Sequence, residues 1–346
     1  MGLEQDLAAK GLQTERVARI ISLLIASLVI CMVLTPTASN AGSKPSKGET
    51  YVVGVVGDPT GTHLPMNSPY RHQYDDVADM LYDWDLDKFL MLGDAQHENG
   101  LLEDYLKYYD SEFGKLLDIT APVPGNHDYY WDWEQFQLHD HPFAGSNGSG
   151  YFGYFGAIAH PPLGFYSFDL GSWHIIALNS ELILNYDVTE VGSPAYEEYE
   201  WLKSDLASHP EKNYPGTIAM LHHPLFTWET PGAPGWASPE LVPFWELLYA
   251  AGVDLVFNGH SHNYQRWAPQ DPYGNYDAGG ITEFVVGTGG YYLNELGHKP
   301  VPGNFVWGQD SEFGALKLML SNGSYSFEFW SISGKVLDSG YDIPCN

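Results

Sequence analysis

Five short segments place carboxylates, a carboxamide and imidazoles directly after apolar runs. They are Gly57-Asp58-Pro59, Gly93-Asp94, Gly125-Asn126-His127-Asp128, His222-His223-Pro224 and Gly259-His260-Ser261-His262. Singly, each reads as a turn, because Asp, Asn and Gly are good turn formers. Together they supply Asp58, Asp94, Asn126, His222, His260 and His262. Hard oxygen donors mixed with imidazoles suit Fe, Mn or Zn, and one shared carboxylate can hold two such ions about 4 Å apart. His260 and His262, two residues apart, lie on the same face of an extended segment, so each can reach a different ion. The chemistry open to such a pair is hydrolysis: lowering the pKa of a bound water, supplying hydroxide and neutralising the oxygens of the group attacked.

The elements that must position these groups are legible as a repeated pattern. Tyr51 to Val56 is a β-branched run that stops at Gly57-Asp58-Pro59; Lys88 to Leu92 runs into Gly93-Asp94; Thr217 to Leu221 runs into His222; Val253 to Phe257 runs into Asn258-Gly259-His260. Each is a short buried strand delivering polar groups at its carboxyl end. Between them, stretches 74–86, 103–117, 195–208 and 239–250 repeat apolar residues at three and four, which predicts helices. Segments 164–178, 281–287 and 316–338 alternate and carry aromatics, as antiparallel strands do. The reading is an α/β fold, two packed sheets with helices outside and the site beyond the carboxyl ends of the strands.

In their order, GDPTG at 57–61, GDAQHENG at 93–100, GNHD at 125–128, LHHP at 221–224 and GHSH at 259–262 resemble the calcineurin-like metallophosphoesterases. Within that family they resemble the purple acid phosphatases and their tartrate-resistant relatives. The resemblance implies a metallophosphoesterase-type two-sheet β-sandwich flanked by helices, in α-β-β-α layers. It makes Asp58 the terminal carboxylate of one metal, Asp94 the bridging carboxylate and His262 a ligand of the first ion. Asn126, His222 and His260 then hold the second. His222 is preferred to His223 because the family's ligand stands two residues before the proline. His127 becomes the group that meets the phosphoryl oxygen or protonates the leaving group, with Asp128 either orienting it or acting as a solvated turn residue.

Two positions depart from the family. Thr60 stands where most of its members carry a histidine, as in the purple branch. That branch ligates iron with a tyrosine three residues after the bridging aspartate, and here that residue is His97. An imidazole still ligates but gives no tyrosinate charge-transfer colour, so the expectation is a colourless protein with a divalent pair, Mn or Zn, in place of Fe(III). His63 is the alternative for the same role. The expected activity is an acid-phosphatase-like phosphomonoesterase acting on small phosphorylated substrates through a metal-bound hydroxide. The alternatives are a phosphodiesterase of cyclic nucleotides or lipid head groups, and a metal-dependent binding protein without turnover.

The bulk numbers fit. The chain has 346 residues with 44 acidic against 15 Lys and Arg, a formal charge of −29. That balance excludes nucleic acid as a standing partner, which needs basic groups on phosphates, yet bound cations can still attract phosphate. Lys10, Arg16 and Arg19 precede an apolar run, Ile20 to Leu34, ending near Ala41. Residues 1–41 read as a signal peptide or N-terminal anchor, 42–49 as a linker and 50–346 as one metallophosphoesterase domain. The expected location is secreted or periplasmic, with no stable membrane partner unless the 20–34 segment stays uncleaved. Cys345 is the only cysteine beyond it, so no internal disulfide or cysteine zinc site can form. His174 sits within an alternating strand and reads as structural, and Arg266 as a partner for acidic neighbours. Tyr129, Tyr130, Trp131 and Trp133 after GNHD, like Tyr291 and Tyr292, either line an organic leaving group or fill core.

Overall fold

The computed structural model describes residues 50–61, 73–97, 99–129, 148–210, 213–229, 238–298 and 300–346. The expected leader, His63, Tyr130, Trp131 and Trp133 lie outside the described residues. Among the described residues no helix is long and apolar enough to cross a membrane.

Two mixed sheets form the centre. The first runs β15 (Val336–Pro344), β14 (Ser324–Ser331), β13 (Gly314–Ser321), β1 (Tyr51–Val56), β3 (Lys88–Met91), β5 (Thr120–Pro122). The second runs β12 (Phe305–Gln309), β10 (Tyr264–Trp267), β11 (Thr282–Val286), β9 (Leu255–Asn258), β8 (Gly216–Met220), β7 (Trp173–Ala177), β6 (Tyr166–Leu170). Parallel strands form one edge of the first sheet, β1, β3 and β5, and the middle of the second, β7, β8, β9 and β11. The sequence separates parallel-type from antiparallel-type strands but gives no sign that both kinds enter both sheets.

The second sheet explains why its strands are apolar without alternation. Ile218, Met220, Leu255 and Phe257 face the core between the sheets, while Ala219, Leu221 and Val256 face a second cluster with Leu202, Phe244, Trp245 and Leu248 from the helices Pro194–Ser208 and Val242–Ala250. A strand covered on both faces has no position for a polar residue until it leaves the sheet. On the other side the helix Gln73–Tyr82 lays Val77, Ala78 and Leu81 over the first sheet. The layers are therefore those anticipated. The helix expected over 103–117 is instead broken into Leu102–Asp104, a π-helical turn at Tyr105–Tyr109, Asp110–Phe113 and a 3₁₀ turn at Gly114–Ile119. The π turn carries Tyr105, whose hydroxyl donates to the buried Asp128, in keeping with the tendency of such turns to serve sites.

Two polar clusters tie the layers together. Arg266 on β10 grips Asp338 on β15 through two hydrogen bonds, Nε–Oδ2 at 2.7 Å and the terminal nitrogen to Oδ1 at 3.0 Å, joining the two sheets. His174, buried on β7, sits between Asp169 Oδ1 and Asp205 Oδ2, each 2.8 Å from a ring nitrogen, with His209 stacked on it at 3.8 Å. Two carboxylate acceptors on opposite nitrogens require both nitrogens to carry hydrogen, so the ring is an imidazolium. Burial pulls its pKa down, but the bonds and charges of Asp205 and Asp169 outweigh this and raise it. A raised histidine stabilises fully below its unfolded value of 6.5 and loses that contribution as pH climbs through the folded value. Replacing His174 by Gln should therefore lower the melting temperature at pH 6 and change it progressively less as the pH is raised to 9; an equal loss at both ends contradicts the imidazolium.

Candidate metal centre

Apart from His97, which lies on a short strand of its own, the chemistry-bearing residues follow the carboxyl ends of parallel strands. Backbone bonds lash these exits together: Asp58 N–H donates to Gly93 O at 3.1 Å, Gly57 N–H to Val286 O at 2.9 Å, and Gly259 N–H to His222 O at 3.0 Å. A two-residue parallel pair, β2 (Thr60–Gly61) with β4 (Gln96–His97), joins the Asp58 and Asp94 exits and delivers His97 beside them.

The side chains converge into sets of possible ligand atoms lying within 4.8 Å of one another: Asp58 with His97 and His262, Asp94 with His222 and His260, and Asp94 with His97 and His127. Asp94 Oδ2 is 3.4 Å from His97 Nε2 and 3.2 Å from His222 Nε2, so one carboxylate oxygen faces both groups. Asp58 Oδ1 is 3.2 Å from His262 Nε2 and 4.0 Å from His97 Nε2. Asn126 Oδ1 and His260 Nδ1 stand 3.2 and 3.3 Å from His222 Nε2. All seven residues anticipated as ligands are thus brought together, with Asp94 between the two halves. His63, the rival to His97, is outside the described residues.

The donor chemistry makes the centre a cage of acceptors. The outer nitrogens of two rings are spent on carbonyls, His222 Nδ1 on Leu92 O at 2.8 Å and His97 Nδ1 on Thr60 O at 3.0 Å. Their Nε2 atoms therefore turn lone pairs inward, toward carboxylate and amide oxygens that are themselves acceptors. Asp58 Oδ1 and His97 Nε2 are buried with no hydrogen-bond partner. Such a convergence is satisfied by cations or by protons. Burial lowers the pKa of His222, but the charge and bond of Asp94, with Asp58, carry it to about 10; His97 is raised in the same way. Burial would raise the Asp94 carboxyl, yet the charges of His222 and His127 hold it well below its usual range. Protons on these rings occupy the place of cations, so a pair of metal ions fits the residues present.

The cage also strains the backbone. Among the described residues six other than glycine have positive φ, and three of them are Asp58 (59°), Asp94 (49°) and His260 (65°). Such left-handed residues persist where surrounding structure over-determines them and they cluster at functional sites. Gly125 is required by close approach, since a Cβ there would lie 2.2 Å from Asp94 Oδ1.

The supporting residues depart in part from expectation. Asp128, expected to orient His127 or to be a solvated turn residue, is fully buried, and its oxygens accept from Gly125 N–H at 2.8 Å and from the Tyr105 hydroxyl. It holds the turn that presents Asn126. His127 lies half-buried, its N–H on Asp94 Oδ1 at 2.8 Å and its ring 4.4 Å from that of His97. Tyr291 stacks on His97 at 4.0 Å and Tyr292 tilts over His262 at 4.3 Å, so these tyrosines pack the ligand rings. Tyr129 is core, its hydroxyl accepting from Asn179 Nδ2 at 2.8 Å. Sequence reading misses Ser180 and Glu181, which meet His223 Nδ1 at 2.9 and 3.3 Å; no spacing links them to a histidine 43 and 42 residues further along the chain.

A family model described as calcineurin-like phosphoesterase matches residues 51–264. Among curated proteins, probable purple acid phosphatase 20 of Arabidopsis thaliana is 30% identical over 260 residues, covering 71% of this chain and 56% of that protein. Purple acid phosphatase 21 of the same plant is 30% identical over 202 residues, covering 56% and 41%. Among solved structures, a purple acid phosphatase from yellow lupin (Lupinus luteus) seeds superposes with a TM-score of 0.63 at 21% identity, covering 86% of this chain and 54% of that one. The chain spans about half the length of the curated relatives it matches. Gly125→Ala should push the Asp94 carboxylate aside while leaving the sheets intact: an unchanged circular-dichroism spectrum with Zn or Mn affinity reduced at least tenfold, measured by calorimetry. Unaltered affinity contradicts the tight approach.

Proposed function

Since the chain belongs to the calcineurin-like phosphoesterases, we propose that it is a metal-dependent phosphomonoesterase, acid-phosphatase-like and exported, acting on small phosphorylated substrates. The observation that carries this reading is the acceptor cage in which Asp94 Oδ2 faces His97 and His222 at 3.4 and 3.2 Å. Asp58, His97 and His262 would hold one divalent cation and Asn126, His222 and His260 another, with Asp94 available to both, and the pair would supply an activated water and offset the charge on the phosphoryl oxygens. In the hydrolysis the water gives up a proton as its oxygen bonds to phosphorus, the bond from phosphorus to the ester oxygen breaks, and that oxygen takes up a proton in turn.

The chain's own groups complete the reaction. His127 is carried by the same turn as Asn126 and lies against the cage, where it meets a phosphoryl oxygen or gives the proton to the leaving oxygen. Asp128 and Tyr105 keep that turn in place. Tyr291, stacked on His97, restrains the ring in the orientation its Thr60 bond demands. Export rests on the basic residues Lys10, Arg16 and Arg19 ahead of the apolar segment 20–34. His97 in place of a phenolate supports a divalent pair, because a neutral imidazole gives a ferric ion no compensating charge.

With Mn or Zn the protein should hydrolyse p-nitrophenyl phosphate in preference to bis-p-nitrophenyl phosphate, and Asp94→Asn should cost at least about a hundredfold in kcat/KM. Hydrolysis of the bis ester alone makes it a diesterase; turnover of neither ester with any metal contradicts both. His97→Tyr loaded with iron should acquire a visible absorption band that the native iron-loaded protein lacks. A colourless tyrosine variant removes His97 from the ligand set.

A further inference from the structure

Beneath the metal centre the second sheet carries a carboxyl group that the proposed chemistry does not use. Glu283, on β11, is fully buried. Its neighbours Phe284 and Val286 line the core between the sheets, and Ile281 lies in the cluster under the helices, so alternation sends Glu283 toward the helix side. There its Oε1 accepts the N–H groups of Leu225 at 3.1 Å and Phe226 at 3.3 Å, while Oε2 is buried with no hydrogen-bond partner.

The residues it holds are the continuation of His222-His223-Pro224. That loop belongs to neither helix nor sheet, and its N–H groups are met by side chains from the sheet below. Gln265 on β10 accepts Trp228 N–H at 2.9 Å and donates to Thr227 Oγ1 at 2.9 Å. Asn258 Nδ2 secures the other end, donating to Leu221 O at 3.0 Å and His223 O at 2.9 Å. His222 thus stands on a loop fastened at both ends, and Glu283 is the fastening on the far side.

We propose that Glu283 is a positioning residue for the metal centre, stapling residues 225–226 to the second sheet and so fixing His222 for the second cation. The inference rests on the metal-centre reading above but not on which ester is cleaved. The staple works as the neutral acid. Burial drives the Glu283 carboxyl well above its usual range and the two N–H groups recover only part of the shift; no charged side chain is among the causes. Glu229, a titratable member of the same network, joins it through Asn263 and through Ser261.

The consequence is a pH dependence of definite sign. The unfolded carboxyl ionises near 4.5 and the folded one far above it, so the folded chain keeps a proton that the unfolded chain releases. Stability then falls as pH rises from about 4.5 toward the folded value, by about tenfold in the unfolding constant per pH unit for one proton. A buried carboxyl with one empty oxygen thus favours the assembled loop in acid.

The test compares the full-length protein with Glu283→Gln, which keeps both accepted bonds and cannot ionise, and with Glu283→Met, which keeps the volume and strands two N–H groups. Chemical unfolding from pH 5 to 8 should be less steeply pH-dependent in the Gln variant by about tenfold in the unfolding constant per unit. Zn titration at pH 6 should give two ions per chain in wild type and the Gln variant, with the second bound at least tenfold more weakly in the Met variant. Parallel pH slopes for wild type and Gln, or a folded Met variant with native affinity for both ions, overturn the proposal. If the Met variant does not fold, the Gln slope decides alone. Because both readouts are made without substrate, a protein that hydrolyses no ester but shows these shifts refutes the phosphatase reading and leaves this one standing.

Discussion

A convergence of carboxylate, amide and imidazole acceptors in one buried place governs this molecule. Carboxylate oxygens of Asp58 and Asp94, the amide oxygen of Asn126 and the inward lone pairs of His97 and His222 all point at one small volume. Left without positive charge, such an arrangement is strongly repulsive in a buried setting. The chain answers in the metal-free state by retaining protons on its imidazoles, which is why His222 is held at about 10. Much of the surrounding architecture reads as the means of keeping those groups together: Asp58, Asp94 and His260 with positive φ, a glycine where a methyl group would strike Asp94, and backbone bonds running from one strand exit to the next.

The same constraint reconciles the net charge of −29 with the phosphate chemistry proposed for the site. The field that matters to a ligand is local, and cations inside the cage would invert its sign there whatever the surface carries. It also accounts for the supporting carboxyls. Asp128, Glu181 and Glu283 are buried near the ligand loops, and burial raises each of them toward the neutral form. Neutral acids can accept backbone N–H groups beneath a metal site without adding charge that would compete for its cations.

How much of this was legible in the sequence follows from the length scale of each feature. The six residues Asp58, Asp94, Asn126, His222, His260 and His262 could be found because each stands in a short motif whose order resembles that of the calcineurin-like phosphoesterases, four of the motifs following a legible apolar strand. His97 was legible only through the resemblance, which places a ligand three residues after the bridging Asp94. The layered fold was legible because strands covered on both faces must be continuously apolar. What remained hidden depends on contacts across long stretches of chain. No local pattern marks Glu283 as the partner of Leu225 and Phe226, Tyr291 as the lid on His97, or Asp128 as a buried anchor for Tyr105. The helix expected over 103–117 fails for the same reason, since its apolar period is regular while its tyrosines are recruited by a turn elsewhere.

The central claim is that the acceptor cage is a two-cation site with Asp94 in common. The most direct measurement is anomalous diffraction from crystals of the Mn- or Zn-loaded protein, recorded above and below the metal absorption edge. The account predicts two peaks about 4 Å apart, both within ligand distance of Asp94, one also reaching Asp58, His97 and His262 and the other Asn126, His222 and His260. A single peak, or two peaks of which one has no contact with Asp94, would contradict it.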